Sequence, residues 1–273
     1  MEITGLEPDT RYYYRIRSGE TWLTPIDESY HFYTHATDVR RPFSFVVLGD
    51  SGQPEPGDQC PLADLLRSLH PKPDFIIHTG DVSQRWALDE AEYDLLAFGV
   101  YRDTLRNTPF YPTQGNHDWV TDWEHGLDPL YPRYFAPGKL GSRLTERFDM
   151  PFWRVFQSPR DNEAGNVGPF SFRYGSAVFV CEAGAGKGAG RSLAEKRFAE
   201  DGVTWRFFYS HYFGLSGNAL PGGDLRWDPP LPQCDKTIRG RIHVYSRSDP
   251  YRPNQTVDLL MGCSGSGIGR TYD

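Results

Sequence analysis

Cysteine is scarce and dispersed in this chain of 273 residues: Cys60, Cys181, Cys234 and Cys263 stand far apart, with no Cys-x-x-Cys pair. That spacing excludes zinc-finger and dithiol redox motifs and leaves one or two disulfides open. Long hydrophobic runs are absent as well. Nothing approaches the roughly 18 consecutive apolar residues of a membrane-spanning helix. The opening Met1-Glu-Ile-Thr lacks the basic-then-apolar order of a secretory signal. Positive charge is in deficit: 29 Lys and Arg stand against 36 Asp and Glu, a net charge of −7. That balance argues against a nucleic-acid or anionic-membrane partner, although a local basic site remains compatible with it. No phosphate loop is present either. Ala183 to Gly190 is rich in Gly and Ala and holds Lys187, but without the GxxxxGK[ST] spacing it reads as a flexible connector.

What is present describes a folded, loop-rich chain. Hydrophobic residues make up 38% and charged residues 24%, a globular balance. The length suits one large core, or one domain plus a fragment. Aromatics at 15%, with 28 Gly and 22 Pro, predict many short strands. Residues 1–37 read apart from the rest. Gly5 to Thr10 forms a turn, and Arg11 to Ile16 and Tyr30 to Thr34 are aromatic, strand-like runs. The pattern Leu6-x-Pro8-x-Thr10-x-Tyr12 resembles the tyrosine-corner hairpin late in a fibronectin type III-like sandwich. Two strands do not make a stable sandwich alone. The segment therefore reads either as the C-terminal remnant of such a domain or as a hairpin packed on the main body. Polar Asp38 to Pro42 opens the second unit, residues 38–273.

That unit begins with strand-like segments that stop abruptly on carboxylates. Phe43 to Leu48 ends in Gly49-Asp50-Ser51-Gly52, and Pro73 to His78 ends in Thr79-Gly80-Asp81. Between them Leu62, Leu65, Leu66 and Leu69 mark a crossover helix. One Gly-Asp means nothing; two at successive strand ends bring both carboxylates to the sheet edge where open α/β sheets bind ligands. A helix over 87–101 then leads to Phe110 and Tyr111 and on to Gly115, Asn116, His117 and Asp118. Alone, that quartet reads equally as an Asx turn. After two Gly-Asp strand ends it reads as a site. Residues 121–168 are taken as long loops, 170–180 as a hairpin turning at Gly175-Ser176, and 192–200 as a short helix. The strand Thr204 to Tyr209 ends in Ser210-His211, and His243 lies in a β-prone stretch. The polar run Gln233 to Arg239 shows no strand signal. His70, His78 and His125 are not expected to be ligands; His78, on a strand, should serve a backbone partner.

Asp, Asp, Asn, His and His in this order are hard-oxygen and imidazole donors suited to paired metals that clamp a phosphate. The series LGDSG, HTGDVS, QGNHD, FFYSH and GRIHVYSR resembles the calcineurin-like metallophosphoesterases, in particular the purple acid phosphatase-like branch, over residues 43–269. The resemblance implies a four-layer α/β/β/α sandwich of two mixed sheets, with the hairpin before it the remnant of a fibronectin type III-like domain. It implies two metal ions (Fe, Zn or Mn). Asp50 and His243 would bind one, Asn116 and His211 the other, and Asp81 would bridge both. His117 would assist the leaving group, with Asp118 orienting its imidazole. The implied activity is hydrolysis of phosphate esters by metal-bound hydroxide, monoesters favoured, on a phosphorylated small-molecule or other phosphoester substrate. The implied setting is secreted or periplasmic.

Departures from the pattern point to the other reading, a degenerate, non-catalytic relative that binds phosphorylated ligands or a protein. The family's tyrosine in GDxxY falls on Gln84, and the first histidine of GHxH falls on Arg241, a permanent cation. Gly52 holds the place where other branches carry a histidine, and none stands near Leu220. Ligand losses at Gln84 and Arg241 would impair activity.

Overall fold

The computed structural model describes residues 3–52, 59–84, 90–115, 117–118, 151–159, 168–182, 189–211, 233–241, 245–247 and 257–261. The elements in chain order are β1 (Arg11–Tyr13), β2 (Arg17–Ser18), β3 (Thr21–Trp22), β4 (His31–Tyr33), β5 (Phe45–Leu48), α1 (Cys60–Ser68), β6 (Phe75–His78), α2 (Glu90–Tyr93), a π-helical segment Asp94–Phe98, α3 (Gly99–Leu105), β7 (Phe110–Pro112), α4 (Pro151–Val155), β8 (Phe170–Tyr174), β9 (Ala177–Cys181), α5 (Ala189–Phe198), β10 (Trp205–Ser210), β11 (Lys236–Arg239), β12 (Tyr245–Arg247) and β13 (Val257–Met261).

Two sheets carry the molecule. Strands β5, β6 and β7 form a three-stranded parallel sheet. A six-stranded sheet in the order β12-β13-β11-β10-β9-β8 is mixed: β9, β10, β11 and β13 run parallel, and β8 and β12 pair antiparallel at its edges. The runs FVVL and FIIH are short, β-branched and aromatic, as strands of a parallel sheet covered by other layers require; FIIH is buried throughout and FVVL partly. Between the sheets lies an aromatic core. Phe45 stacks on Phe75 at 5.3 Å, Phe172 on Phe179 at 4.9 Å and Phe179 on Phe207 at 4.6 Å. Outside the first sheet, α1 and α3 bury Ala63, Leu66 and Tyr101 against Leu48 and Ile76. Outside the second, α5 buries Ala194 and Phe198 against Val178, Val180 and Phe208. The layers run helix, sheet, sheet, helix.

Several sequence expectations shift in detail. The helix expected over 87–101 is described from residue 90 and divides into α2, the π segment and α3, with non-helical φ −99° and ψ 16° at Tyr101. In α1, Leu65 faces solvent while Ala63 and Leu66 turn inward. The predicted loop 121–168 contains α4, whose Phe152 and Trp153 enter the core; residues 121–150 lie outside the described residues. The run Gln233 to Arg239 does contain a strand: β11 sits between β10 and β13, with Thr237, Ile238 and Arg239 buried. Neighbouring parallel strands impose it, and its composition does not announce it. Among the described residues, no helix is long and apolar enough to cross a membrane.

Residues 3–36 pack onto this body. β1 pairs with β4, and β2 with β3, both antiparallel. The Tyr14 hydroxyl donates to the Arg106 carbonyl at 2.6 Å, and His35 Nε2 lies 2.9 Å from the Tyr111 hydroxyl. Ala36 is buried in the core between the sheets. Arg41, in the segment read as a linker, bonds Asp9 on one side and reaches Asp74 at 3.6 Å on the other.

Candidate metal centre

Parallel pairing aligns the C-terminal ends of neighbouring strands. Leu48 sits opposite His78, and His78 opposite Pro112; in the second sheet Ser210 sits opposite Arg239. The loops that follow therefore leave along one edge of the molecule. Asp50 follows β5, Asp81 follows β6, His117 follows β7, His211 follows β10 and Arg241 follows β11.

The first two loops interlock. Asp50 N–H donates to the Gly80 carbonyl at 2.9 Å, Gly52 N–H to the Asp81 carbonyl at 3.2 Å, and Gln84 N–H to the Gly52 carbonyl at 2.6 Å. Asp50 and Asp81 both take left-handed backbone, φ 53° and 55°, and Arg241 does so at φ 69°. Such angles are uncommon for residues with a Cβ and cluster where a side chain must be aimed. Here the turn swings each carboxylate inward. Both are buried, at 0% and 1% exposure.

His211 arrives from the other sheet. Its Nδ1–H donates to the Thr79 carbonyl at 2.8 Å, which fixes the tautomer and leaves Nε2 as the acceptor nitrogen, 3.4 Å from Asp81 Oδ2. One ligating atom each from Asp50, Asp81 and His211 lie within 4.8 Å of one another. The close approach of ring and carboxylate is not an ion pair. Burial pushes the His211 imidazole down to about 4. Burial, then the neighbouring charges of Asp50 and Asp118, drive the Asp81 carboxyl well above the usual carboxylate range. Buried like charges converging on a neutral imidazole are stabilised by a cation among them, and two carboxylates with one imidazole are a donor set that divalent metals accept. The residues fit a metal.

The peptide of the third loop supports the second. His117 N–H donates to Asp81 Oδ1 at 2.8 Å, and the His117 side chain is half-buried. Glycine is obligatory just before it, because a Cβ at 115 would collide with the Asp81 carboxylate and backbone nitrogen. On the far side, Arg241 N–H donates to Asp50 Oδ2 at 3.0 Å, so the loop after β11 contributes through its backbone.

Asp118, expected to orient His117, is itself held by four donors. Its carboxylate accepts from Gly115 N–H at 2.9 Å, Ser83 N–H at 3.1 Å, Val82 N–H at 3.2 Å and the Tyr93 hydroxyl at 3.1 Å. It ties the second and third loops to α2. Burial raises its pKa to about 6, with those backbone donors pulling the other way. The sequence reading missed this clamp because its members lie up to 36 residues apart. It missed Tyr93 for a second reason: a tyrosine at helical spacing looks like core. His78 has the backbone partner expected of it, Gly80 N–H at 3.2 Å, and Ser51 besides. Asn116 and His243 lie outside the described residues.

A family model described as calcineurin-like phosphoesterase matches residues 43–235. No curated protein shows a matching sequence. Among solved structures, purple acid phosphatase PPD1 from yellow lupin (Lupinus luteus) seeds is similar with TM-score 0.62 and 18% identity, over 89% of this chain and 48% of that one. GAP50, the anchor in the inner membrane complex of Plasmodium, is similar with TM-score 0.51 and 13% identity, over 85% of this chain and 75% of that one. This chain thus spans about half the length of the lupin enzyme. At these identities the likeness is one of fold.

Proposed function

The chain belongs to the calcineurin-like phosphoesterase family, and from that premise we propose that it hydrolyses phosphate monoesters at a centre of two metal ions, Fe, Zn or Mn. The observation that carries this reading is the buried convergence of Asp50, Asp81 and His211 within 4.8 Å. In this reading Asp50, Asp81 and His211, together with Asn116 and His243, would hold the metals. Such metals supply Lewis acidity toward phosphoryl oxygens and a nucleophile available at neutral pH.

The chain's own groups do the rest. The backbone N–H of His117 holds Asp81 Oδ1, while its half-buried imidazole delivers a proton to the departing oxygen. Asp118 keeps the second and third loops in register. The Arg241 charge reaches Asp81 and lowers its proton affinity, and the same charge favours an anionic substrate. We read residues 1–37 as the end of a fibronectin type III-like domain. The Tyr12 hydroxyl, accepting from Glu7 N–H five residues upstream at 2.9 Å, supports that reading. A secreted or periplasmic setting is proposed from family resemblance.

Arg241 favours a second reading. A permanent cation in a ligand's place suits a relative that binds phosphorylated molecules or a protein without turning them over, and GAP50, similar in fold, is described as an anchor. Metal analysis of the purified protein, followed by aryl-phosphate hydrolysis with added Mn, Zn or Fe, separates the two. Metal-dependent hydrolysis is expected. Asp81→Asn should lower it by at least ~100-fold, since losing a direct ligand exceeds the cost of losing an outer partner. Absence of hydrolysis with every metal would reject catalysis and leave the binding reading.

A further inference from the structure

Behind the two carboxylates runs a buried line of hydrogen bonds that no step above uses. Gly80 N–H donates to His78 Nδ1 at 3.2 Å. A backbone N–H can only donate, so Nδ1 is the acceptor and the proton of the neutral ring sits on Nε2. Burial keeps the ring neutral, pushing its pKa down to about 3. Nε2–H therefore donates to Ser51 Oγ at 2.8 Å. Beside Ser51, in the same apolar surroundings, the Tyr101 O–H donates to Gln59 Oε1 at 2.8 Å. Exposure is 1% at His78 and 2% at Ser51. Both His78 bonds point the same way, from Gly80 through the ring to Ser51, as in a mutually polarised chain.

Its endpoints matter more than its length. Gly80 directly precedes Asp81, and Ser51 directly follows Asp50. The His78 ring thus bonds a neighbour of each carboxylate and stands between the two loops. Leu48, Ile76, Val82, Ala97 and Phe110 line the space around it, so those bonds form in apolar surroundings. We propose that His78 is a positioning residue whose ring fixes the separation of Asp50 and Asp81, with Ser51 as its partner. The inference rests on the two carboxylates holding metal, as read above.

The test is Mn²⁺ affinity, by calorimetric titration of the purified full chain, alongside the unfolding midpoint of the metal-free protein. Ser51→Ala should weaken Mn²⁺ binding ~10–100-fold, the range for losing an outer partner of a metal ligand. His78→Asn keeps an acceptor for Gly80 N–H but loses the donor to Ser51, and it should match Ser51→Ala. Combining the two should add little more, as for residues acting as one unit. A purely structural line would lower the unfolding midpoint and leave Mn²⁺ affinity at the parent value; that outcome overturns the proposal. Should Ser51→Ala not fold, His78→Asn carries the same test alone. A parent chain that binds no Mn²⁺ overturns the metal reading and this inference with it. A parent that binds while the variants bind equally well overturns this inference alone.

Discussion

Asp50 and Asp81 hold φ angles of 53° and 55°, where a side chain costs on the order of 1 kcal/mol against ordinary backbone. Reciprocal loop bonds, Asp50 N–H to Gly80 and Gly52 N–H to Asp81, hold the turns in place. Gly115 is the residue on which this arrangement tolerates least change: its N–H reaches Asp118, and its missing Cβ makes room for the Asp81 carboxylate. Gly115→Ala is therefore expected to displace Asp81. It should cost about 1–3 kcal/mol by overpacking and weaken Mn²⁺ binding by ~10-fold or more, read by urea unfolding and metal titration. Parent-like values in both would contradict the close approach. At this scale the sequence was informative about what ends each strand. Gly-Asp twice, and Ser-His once, identify groups that chain geometry must bring to an edge. It named Asp118 but was silent on its four donors, which come from three different segments and leave no spacing to read.

Elements position these residues only as firmly as the two sheets pack. Phe75 on β6 stacks on Phe45 with an interplanar angle of 2° and meets Phe172 and Phe179 edge-on at 5.4 and 5.1 Å. It is fully buried and lies six residues before Asp81. Phe75→Ala should cost about 3–5 kcal/mol, a large part of the ~5–15 kcal/mol that holds a typical domain folded. The check is a urea midpoint that falls while the m-value stays constant; a loss under about 1 kcal/mol would deny the inter-sheet contact. β5, β6, β8, β9 and β10 were readable because apolar and aromatic runs bounded by Gly, Pro or polar residues carry their own signal. β11 was not. Lys236, Thr237, Ile238 and Arg239 offer one strongly apolar residue, and they become a strand because β10 and β13 provide backbone partners on both sides. Periodicity marked the helix after β6 but not the π segment inside it, since a one-residue widening of a turn barely alters the spacing of apolar side chains.

For the whole molecule, the joint between the N-terminal strands and the two-sheet body turns on His35. Its ring packs 4.9 Å from Tyr174 and near Phe172 and Tyr111, and bonds the Tyr111 hydroxyl. Burial lowers its pKa below the ordinary histidine value, while the nearby Arg173 backbone and the Asp74 charge oppose the shift. A depressed folded-state pKa has one sign. Above the unfolded value of about 6.5 the ring is neutral in both states and its packing stabilises fully. As pH falls below 6.5 the unfolded chain takes up the proton first, so stability is lost until the folded ring is protonated too. The metal-free protein should therefore lose more stability between pH 7.5 and 5.5 than a His35→Gln variant. Comparing urea midpoints of the two proteins across that range isolates this ring from the carboxylates, which titrate in both. Equal pH slopes would show that the joint does not depend on a neutral imidazole. A steeper parental slope would place a pH-sensitive contact at the junction between residues 1–37 and the body that carries the candidate centre.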